Sequence, residues 1–129
     1  MNIYTVELKN QPGELAHVCE VLGHSGVNIE CAGTTTGDHG TICFVASDEA
    51  AAAAALEGAG IDFTAHPALQ VRCPDQPGEV AKFARRLANA NVNVNWLLPV
   101  SICQGEVLFA LCPDKVDEAR SALGDQAFG

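Results

Sequence analysis

The chain has 129 residues, enough for one ordinary domain or two small ones, and its 48% hydrophobic and 18% charged content fits a packed globular protein rather than a disordered one. The net charge is −9 and uneven: residues 1–66 hold nine acids and a single base, Lys9, while residues 67–129 hold seven acids and six bases. With no basic stripe a nucleic-acid partner is not expected, and no apolar run approaches the ~20 residues that span a membrane.

In chain order, Tyr4, Val6 and Leu8 alternate with Thr5 and Glu7, which predicts a half-buried strand. Leu15, Val18, Cys19 and Leu22 follow at helical spacing and predict a helix over residues 12–25. Gly26 then suits the left-handed position after a helix. A second strand begins at Val27-Asn28-Ile29, and Thr36-Gly37-Asp38-His39-Gly40 is a hairpin turn. The third strand covers residues 42–47. Asp48 is a candidate cap for a helix through the alanine run at 50–55. Ile61-Asp62-Phe63 reads as a fourth strand and His66-Pro67-Ala68 as a short linker.

The pattern then restarts. Leu69, Val71 and Cys73 alternate, Val80, Phe83, Ala84 and Leu87 form a helical stripe, and Asn91 takes the place of Gly26. A strand opens at Val92-Asn93-Val94, a less polar turn covers 101–105, and another strand covers 107–112. Asp114 is the candidate second cap, and Gln126-Ala127-Phe128 is a short final strand.

The restart is an internal repeat. Asn10-Gln11-Pro12-Gly13-Glu14-Leu15-Ala16 returns 65 positions later as Asp75-Gln76-Pro77-Gly78-Glu79-Val80-Ala81, with five of six residues identical between 11–16 and 76–81. The same offset matches Leu22 with Leu87, Val27-Asn28 with Val92-Asn93, Gly40 with Gly105, Phe44 with Phe109 and Phe63 with Phe128. A duplication without insertions is expected, with domains at 1–66 and 67–129. Each unit reads βαββαβ. The predicted class is α+β: two ferredoxin-like units side by side, with antiparallel sheet and helices on one face. Units this small bury a modest share of their surface, so they are expected to pack on each other or on a second chain.

The Pro-Gly turn carries the functional argument. Pro12 and Pro77 suit a first helical position, Asn10 and Asp75 can cap the free N–H groups, and Gly13 and Gly78 lack the Cβ that would hold a ligand away. Glu14 and Glu79 then favour the positive end of the helix dipole. Bare N–H groups of Gly13, Glu14 and Leu15 would make a carboxylate site.

This Asn/Asp-x-Pro-Gly-Glu-Leu turn, followed by Gly-Val-Asn-Ile opening a second strand, resembles the ACT domain, the small regulatory module of aspartate kinase, phosphoglycerate dehydrogenase and related amino-acid enzymes. The resemblance covers nearly the whole chain, twice. It implies units paired through the second strand with an amino acid bound at the interface of the two domains. By residue matching the contacts would be Asn10, Gln11, Gly13, Glu14, Leu15 and Asn28, with Asp75, Gln76, Gly78, Glu79, Val80 and Asn93 as a second set. In copy two, Trp96-Leu97-Leu98-Pro99 stands where copy one has Cys31-Ala32-Gly33-Thr34, so two unlike sites or one degenerate site are expected. Trp96 itself is assigned to core or interface packing.

The expected function is a non-catalytic regulatory protein that binds a small amino acid. The alternative is a ligand-free interaction module acting as the regulatory subunit of an amino-acid-metabolism enzyme; the macromolecular partner would be that enzyme or a second copy. No cofactor is called for: no phosphate loop, dinucleotide fingerprint or nucleophile elbow occurs. His17, Glu20 and His24 share a helix face, which reads as a solvated surface rather than a metal site. The six cysteines include no CxxC. Met1-Asn2-Ile3-Tyr4 leads directly into a strand, so free thiols in a reducing cytoplasm are expected, with Cys31 and Cys43 the pair best placed to meet across one hairpin.

Overall fold

The first alternating run forms β1 (Asn2–Lys9), and α1 (Glu14–His24), β2 (Ile29–Thr36), β3 (His39–Ala46), α2 (Glu49–Gly58) and β4 (Thr64–Pro67) follow in the computed structural model, which describes Met1–Gly129. The second run forms β5 (Leu69–Pro74), α3 (Glu79–Asn89), β6 (Val94–Cys103), β7 (Glu106–Pro113), α4 (Val116–Leu123) and β8 (Ala127–Phe128). Two bodies result: Tyr4–His66, and Pro67–Gly129 together with Met1–Ile3. These are the predicted βαββαβ units, each an antiparallel four-stranded sheet, with orders β2-β3-β1-β4 and β6-β7-β5-β8.

In the first sheet Tyr4, Val6, Ile42 and Phe44 pack against Val18 and Leu22 of α1 and Ala52 and Leu56 of α2. The alanine-rich α2 lies close to the sheet because Ala52 adds no bulk. In the second sheet Leu69, Val71, Phe109 and Leu111 pack against Phe83, Leu87, Ala119 and Leu123. Both helices of each body therefore cover one face of its sheet. Both first helices end alike. Gly26 and Asn91 take φ of 74° and 58°, and the N–H groups of Val27 and Val92 reach back to the carbonyls of Leu22 and Leu87, the six-to-one bond of a Schellman end. No helix is long and apolar enough to cross a membrane.

Several boundaries differ from the sequence reading. Residues 61–63 are not a strand: Ile61 and Phe63 pack onto the core from a loop, and the strand lies one step on, absorbing His66 and Pro67 from the expected linker. Proline is tolerated there because β4 is at the sheet's edge. Thr5, expected to face solvent, is 8% exposed, and its hydroxyl lies 2.9 Å from the His66 imidazole. Asp48 does cap α2, accepting from the Ala51 N–H. Asp114 does not cap α4, which starts after Lys115; its carboxylate accepts from the Asn93 N–H instead.

The duplication also contains an insertion. Ile29 and Val94 open β2 and β6 at an offset of 65, but His39 and Glu106 open β3 and β7 at 67. The two extra residues sit in β6, at irregularities between Val94 and Trp96 and between Pro99 and Ser101. Each is a place where the strand carries one residue more than its partner. Strand pairing therefore equates Phe44 with Leu111 and Ile42 with Phe109, so the matches of Phe44 with Phe109 and of Gly40 with Gly105 are coincidences of sequence. Asp48 corresponds to Lys115, which explains why the second cap is missing.

Candidate functional site

The Pro-Gly turn is a β-turn that precedes the helix. The Glu14 N–H reaches the Gln11 carbonyl at 3.4 Å, and Gly13 has φ 91° and ψ −16°. Gly78 repeats this with φ 87° and ψ −8°. Proline second and a left-handed glycine third make a type II turn. Pro12 thus lies before α1, not at its first position. The glycines answer to backbone geometry: no atom lies within 4 Å of where a Cβ would sit on either. Neither helix has a side-chain cap. The Asn10 amide instead donates to the Gly37 carbonyl at 2.9 Å and ties the turn to the β2–β3 hairpin. Glu14 reaches back to the Lys9 N–H. The Glu14 N–H is engaged within the turn, while those of Gly13 and Leu15 have no acceptor in the chain.

Beside this turn, between α1 and the edge strand β2, lies a groove of about 490 Å³. Of the residues picked from sequence it gathers Asn10, Gln11, Glu14 and Leu15. It adds Leu8 and Lys9 from β1, residues 31–35 from β2, and Gly40, Thr41 and Ile42 from β3. Leu15, on the helical stripe and among the candidate contacts, is 55% exposed and forms the groove's helix side.

Asn28 is not brought to the groove. Both β1 and β2 run antiparallel to β3, so they point the same way. Asn28 precedes β2 while the turn follows β1, which separates them within this body by most of a strand, on the order of 20 Å. The N–H and carbonyl of Asn28 are both bonded to Ser47.

The floor is set by two strand glycines. Gly33 pairs with Ile42 and Gly40 with Thr35. A Cβ on Gly33 would meet the Thr41 carbonyl at 3.4 Å, and one on Gly40 would meet the Thr34 carbonyl and the Thr35 methyl, both at 3.4 Å. Sequence reasoning missed these residues. Glycine inside a strand pattern was the available signal, since it marks a close approach.

The second set is arranged differently. Pairing across β6 and β7 puts Leu97, Pro99 and Ile102 where the first body has Cys31, Gly33 and Thr35, and Val107 where it has Gly40. The match of Trp96 with Cys31 shifts by one residue because of the first bulge, and Trp96 is half-buried. Bulky side chains thus replace both floor glycines. Asp75, Gln76, Gly78 and Val80 keep the turn, Val80 being 41% exposed. Glu79 pairs with Lys82 at 2.9 Å and lines another depression with Arg85, Arg86 and Gln126. The Asn93 amide donates to the Asn95 side chain.

Titratable groups near the groove are few. Burial pushes the Cys19 thiol up, and a charge on Cys31 would push it further. Burial likewise raises Cys43. Cys43 lies opposite Ala32 and Cys31 opposite Phe44, so the two cysteines point to opposite faces of the sheet and do not meet. All six cysteines are unpaired. His17, Glu20 and His24 lie on the exposed side of α1, and no group of three metal-binding side chains converges anywhere in the chain.

No protein-family model matches the chain. No curated protein matches it. Solved structures do. A protein of Bacteroides thetaiotaomicron superposes with a TM-score of 0.88 at 21% identity, over 98% of this chain and 90% of that one. The ligand-free regulatory subunit of aspartate kinase from Thermus thermophilus gives 0.69 at 18% identity, over 95% of this chain and 86% of that one. The regulatory subunit from Thermus flavus gives 0.64 at 19% identity with the same coverages. The fold is that of these regulatory subunits. At such identities the likeness extends to the fold and leaves the chemistry to the site's own residues.

Proposed function

We propose that this chain is a non-catalytic regulatory protein that binds a small amino acid in the groove beside the first Pro-Gly turn. The observation that carries the reading is the groove's composition. Lys9 is the only base among residues 1–66, and it lines the same groove as Glu14 over a floor of Leu8, Gly33, Gly40 and Ile42. An α-amino acid is a zwitterion on a short carbon frame. Lys9 and the free N–H groups of Gly13 and Leu15 suit its carboxylate. Glu14 and the Asn10 side-chain oxygen suit its ammonium. The ACT-like fold, shared with aspartate kinase regulatory subunits, supports a regulatory role. One site per chain is expected, because Pro99 and Val107 stand where the first body has its floor glycines.

The test is calorimetric titration with each of the twenty amino acids, repeated on Gly33→Val. Valine suits a strand and would fill the floor. Saturable binding of one or a few amino acids, weakened at least tenfold by Gly33→Val, is the expected result. If none of the twenty binds, the reading is wrong.

A second reading, a module that docks on an enzyme and takes no ligand, is favoured by one observation. Ile102 is 68% exposed and Leu97 is 37% exposed on the edge strand β6, and apolar side chains left uncovered along an edge invite a protein partner. It predicts no amino-acid binding and weakened enzyme association in Ile102→Lys.

A further inference from the structure

We infer that the groove selects an amino acid with a branched aliphatic side chain, of the valine, leucine and isoleucine class. This rests on the amino-acid site proposed above and adds what the floor recognises. The charged and amide groups, Lys9, Asn10, Gln11 and Glu14, all come from the β1 end, the turn and the start of α1, while Leu8, Gly33, Gly40 and Ile42 lie below them, with Thr34, Thr35 and Thr41 on the strands beside them. Leu8 is half-buried against the core, and Ile42 belongs to it, at 2% exposed. No aromatic and no charged side chain lines the β2 and β3 part of the groove. Thr35 turns its methyl toward Gly40, which it would meet at 3.4 Å were a Cβ present there.

The two glycines make the space. A strand with ordinary side chains would fill it, and the second body does so with Pro99 and Val107 at the matching places. In the first body the room is left for a ligand. Leu15 adds the opposite wall: it sits on the helical stripe of the core yet remains 55% exposed. A ligand side chain of three or four carbons lying over Gly33 and Gly40 would cover it. A polar side chain in the same place would meet no charged or amide side chain from β2 or β3.

The consequence is a graded preference. Each methylene moved from water to the floor is worth about fourfold in affinity. Valine should therefore bind roughly tenfold or more above alanine, and glycine should bind weakest. Threonine matches valine in shape but carries a hydroxyl in place of one methyl, so it should bind at least about tenfold more weakly than valine.

The experiment is calorimetry on the full chain with glycine, alanine, valine, leucine, isoleucine, threonine, serine, aspartate and lysine. Leu15→Ala and Leu15→Met are compared, with thermal melts confirming that each is folded. The expected result is the order above. Leu15→Ala should weaken the aliphatic ligands about threefold to tenfold and leave glycine unchanged, while Leu15→Met stays close to the parent. Binding of serine, aspartate or lysine in preference to valine, or equal binding of threonine and valine, would overturn the aliphatic floor while leaving an amino-acid site in place. Absence of binding by all nine would overturn this inference, and the wider screen would then decide the site itself.

Discussion

Replacing Gly13 with alanine isolates what the turn demands of the backbone. Gly13 has φ 91°, and no atom lies within 4 Å of a Cβ built on it. The substitution therefore meets no wall, and its cost is conformational. A side chain in the left-handed region costs about 1–2 kcal/mol. A smaller opposing gain comes from restricting the unfolded chain, roughly 0.4–1 kcal/mol. The net expectation is a loss between about 0 and 1.6 kcal/mol from these terms, about 0.8 at their midpoints. Gly23 is the control: it is exposed within α1, also with nothing near its Cβ and no positive φ, so Gly23→Ala should raise stability by about 0.5–1 kcal/mol. Gly13→Asn should lose less than Gly13→Ala, because asparagine enters the left-handed region more readily. Urea denaturation followed by circular dichroism reads all three. The chain has two bodies, so midpoints are compared before any single free energy is fitted. If Gly13→Ala is as stable as Gly23→Ala, the type II turn is not what holds this glycine.

Asp48→Ala should cost about 1 kcal/mol by removing the cap on the Ala51 N–H, whereas Lys115→Asp should stabilise by giving α4 the cap it lacks; chemical denaturation measures both. Gln104 holds φ 54° in the hairpin turn, so Gln104→Gly should stabilise the second body by up to about 1 kcal/mol, read as a higher urea midpoint. Thiol titration of the native protein should modify exposed Cys31 and Cys103 before buried Cys43, Cys73 and Cys112, and six thiols should react after denaturation without reductant. Burial raises Cys43, Cys73, Cys112 and Tyr4 above their ordinary values. The unfolded chain therefore loses these protons first, and stability should fall as pH rises past the ordinary thiol value of 9.0; melting curves between neutral and alkaline pH check the direction.

What was legible in the sequence was local. Alternation in Tyr4, Val6 and Leu8 and the helical spacing of Val18 and Leu22 specify strand and helix within a few residues of themselves. Gly26 and Asn91 announce a helix end because few residues accept positive φ. Pro12 lies two residues before the first position of α1, where the sequence places it, for a physical reason: the φ that proline fixes serves both the second position of a turn and the first of a helix. The bulges of β6 were hidden because an extra residue is visible only against its partner strand. The groove was hidden for the same reason. Gly33 and Gly40 lie seven apart in sequence, and only the β2–β3 register, with Gly33 on Ile42 and Gly40 on Thr35, sets them on one floor.

The duplication separates what the turn does from what the groove does. Both copies keep Gln-Pro-Gly-Glu, with φ of 91° and 87° at the glycine, and both tie the preceding residue to the hairpin, through Asn10 to Asp38 and Asp75 to Gly105, each at 2.8 Å. A feature retained in both bodies, including the one whose floor is filled, answers to the fold: it turns the chain from strand to helix and pins that corner. The strand facing the corner did diverge, by two inserted residues and by the exchange of Gly33 for Pro99. If the turn alone made an anion site, both bodies would hold one. If the glycine floor is what admits a ligand, only Tyr4–His66 does. Gly33→Val and the turn variants therefore act on different quantities, Gly33→Val on affinity and Gly13→Ala chiefly on stability, and measuring both on each protein distinguishes a binding groove from a conserved corner.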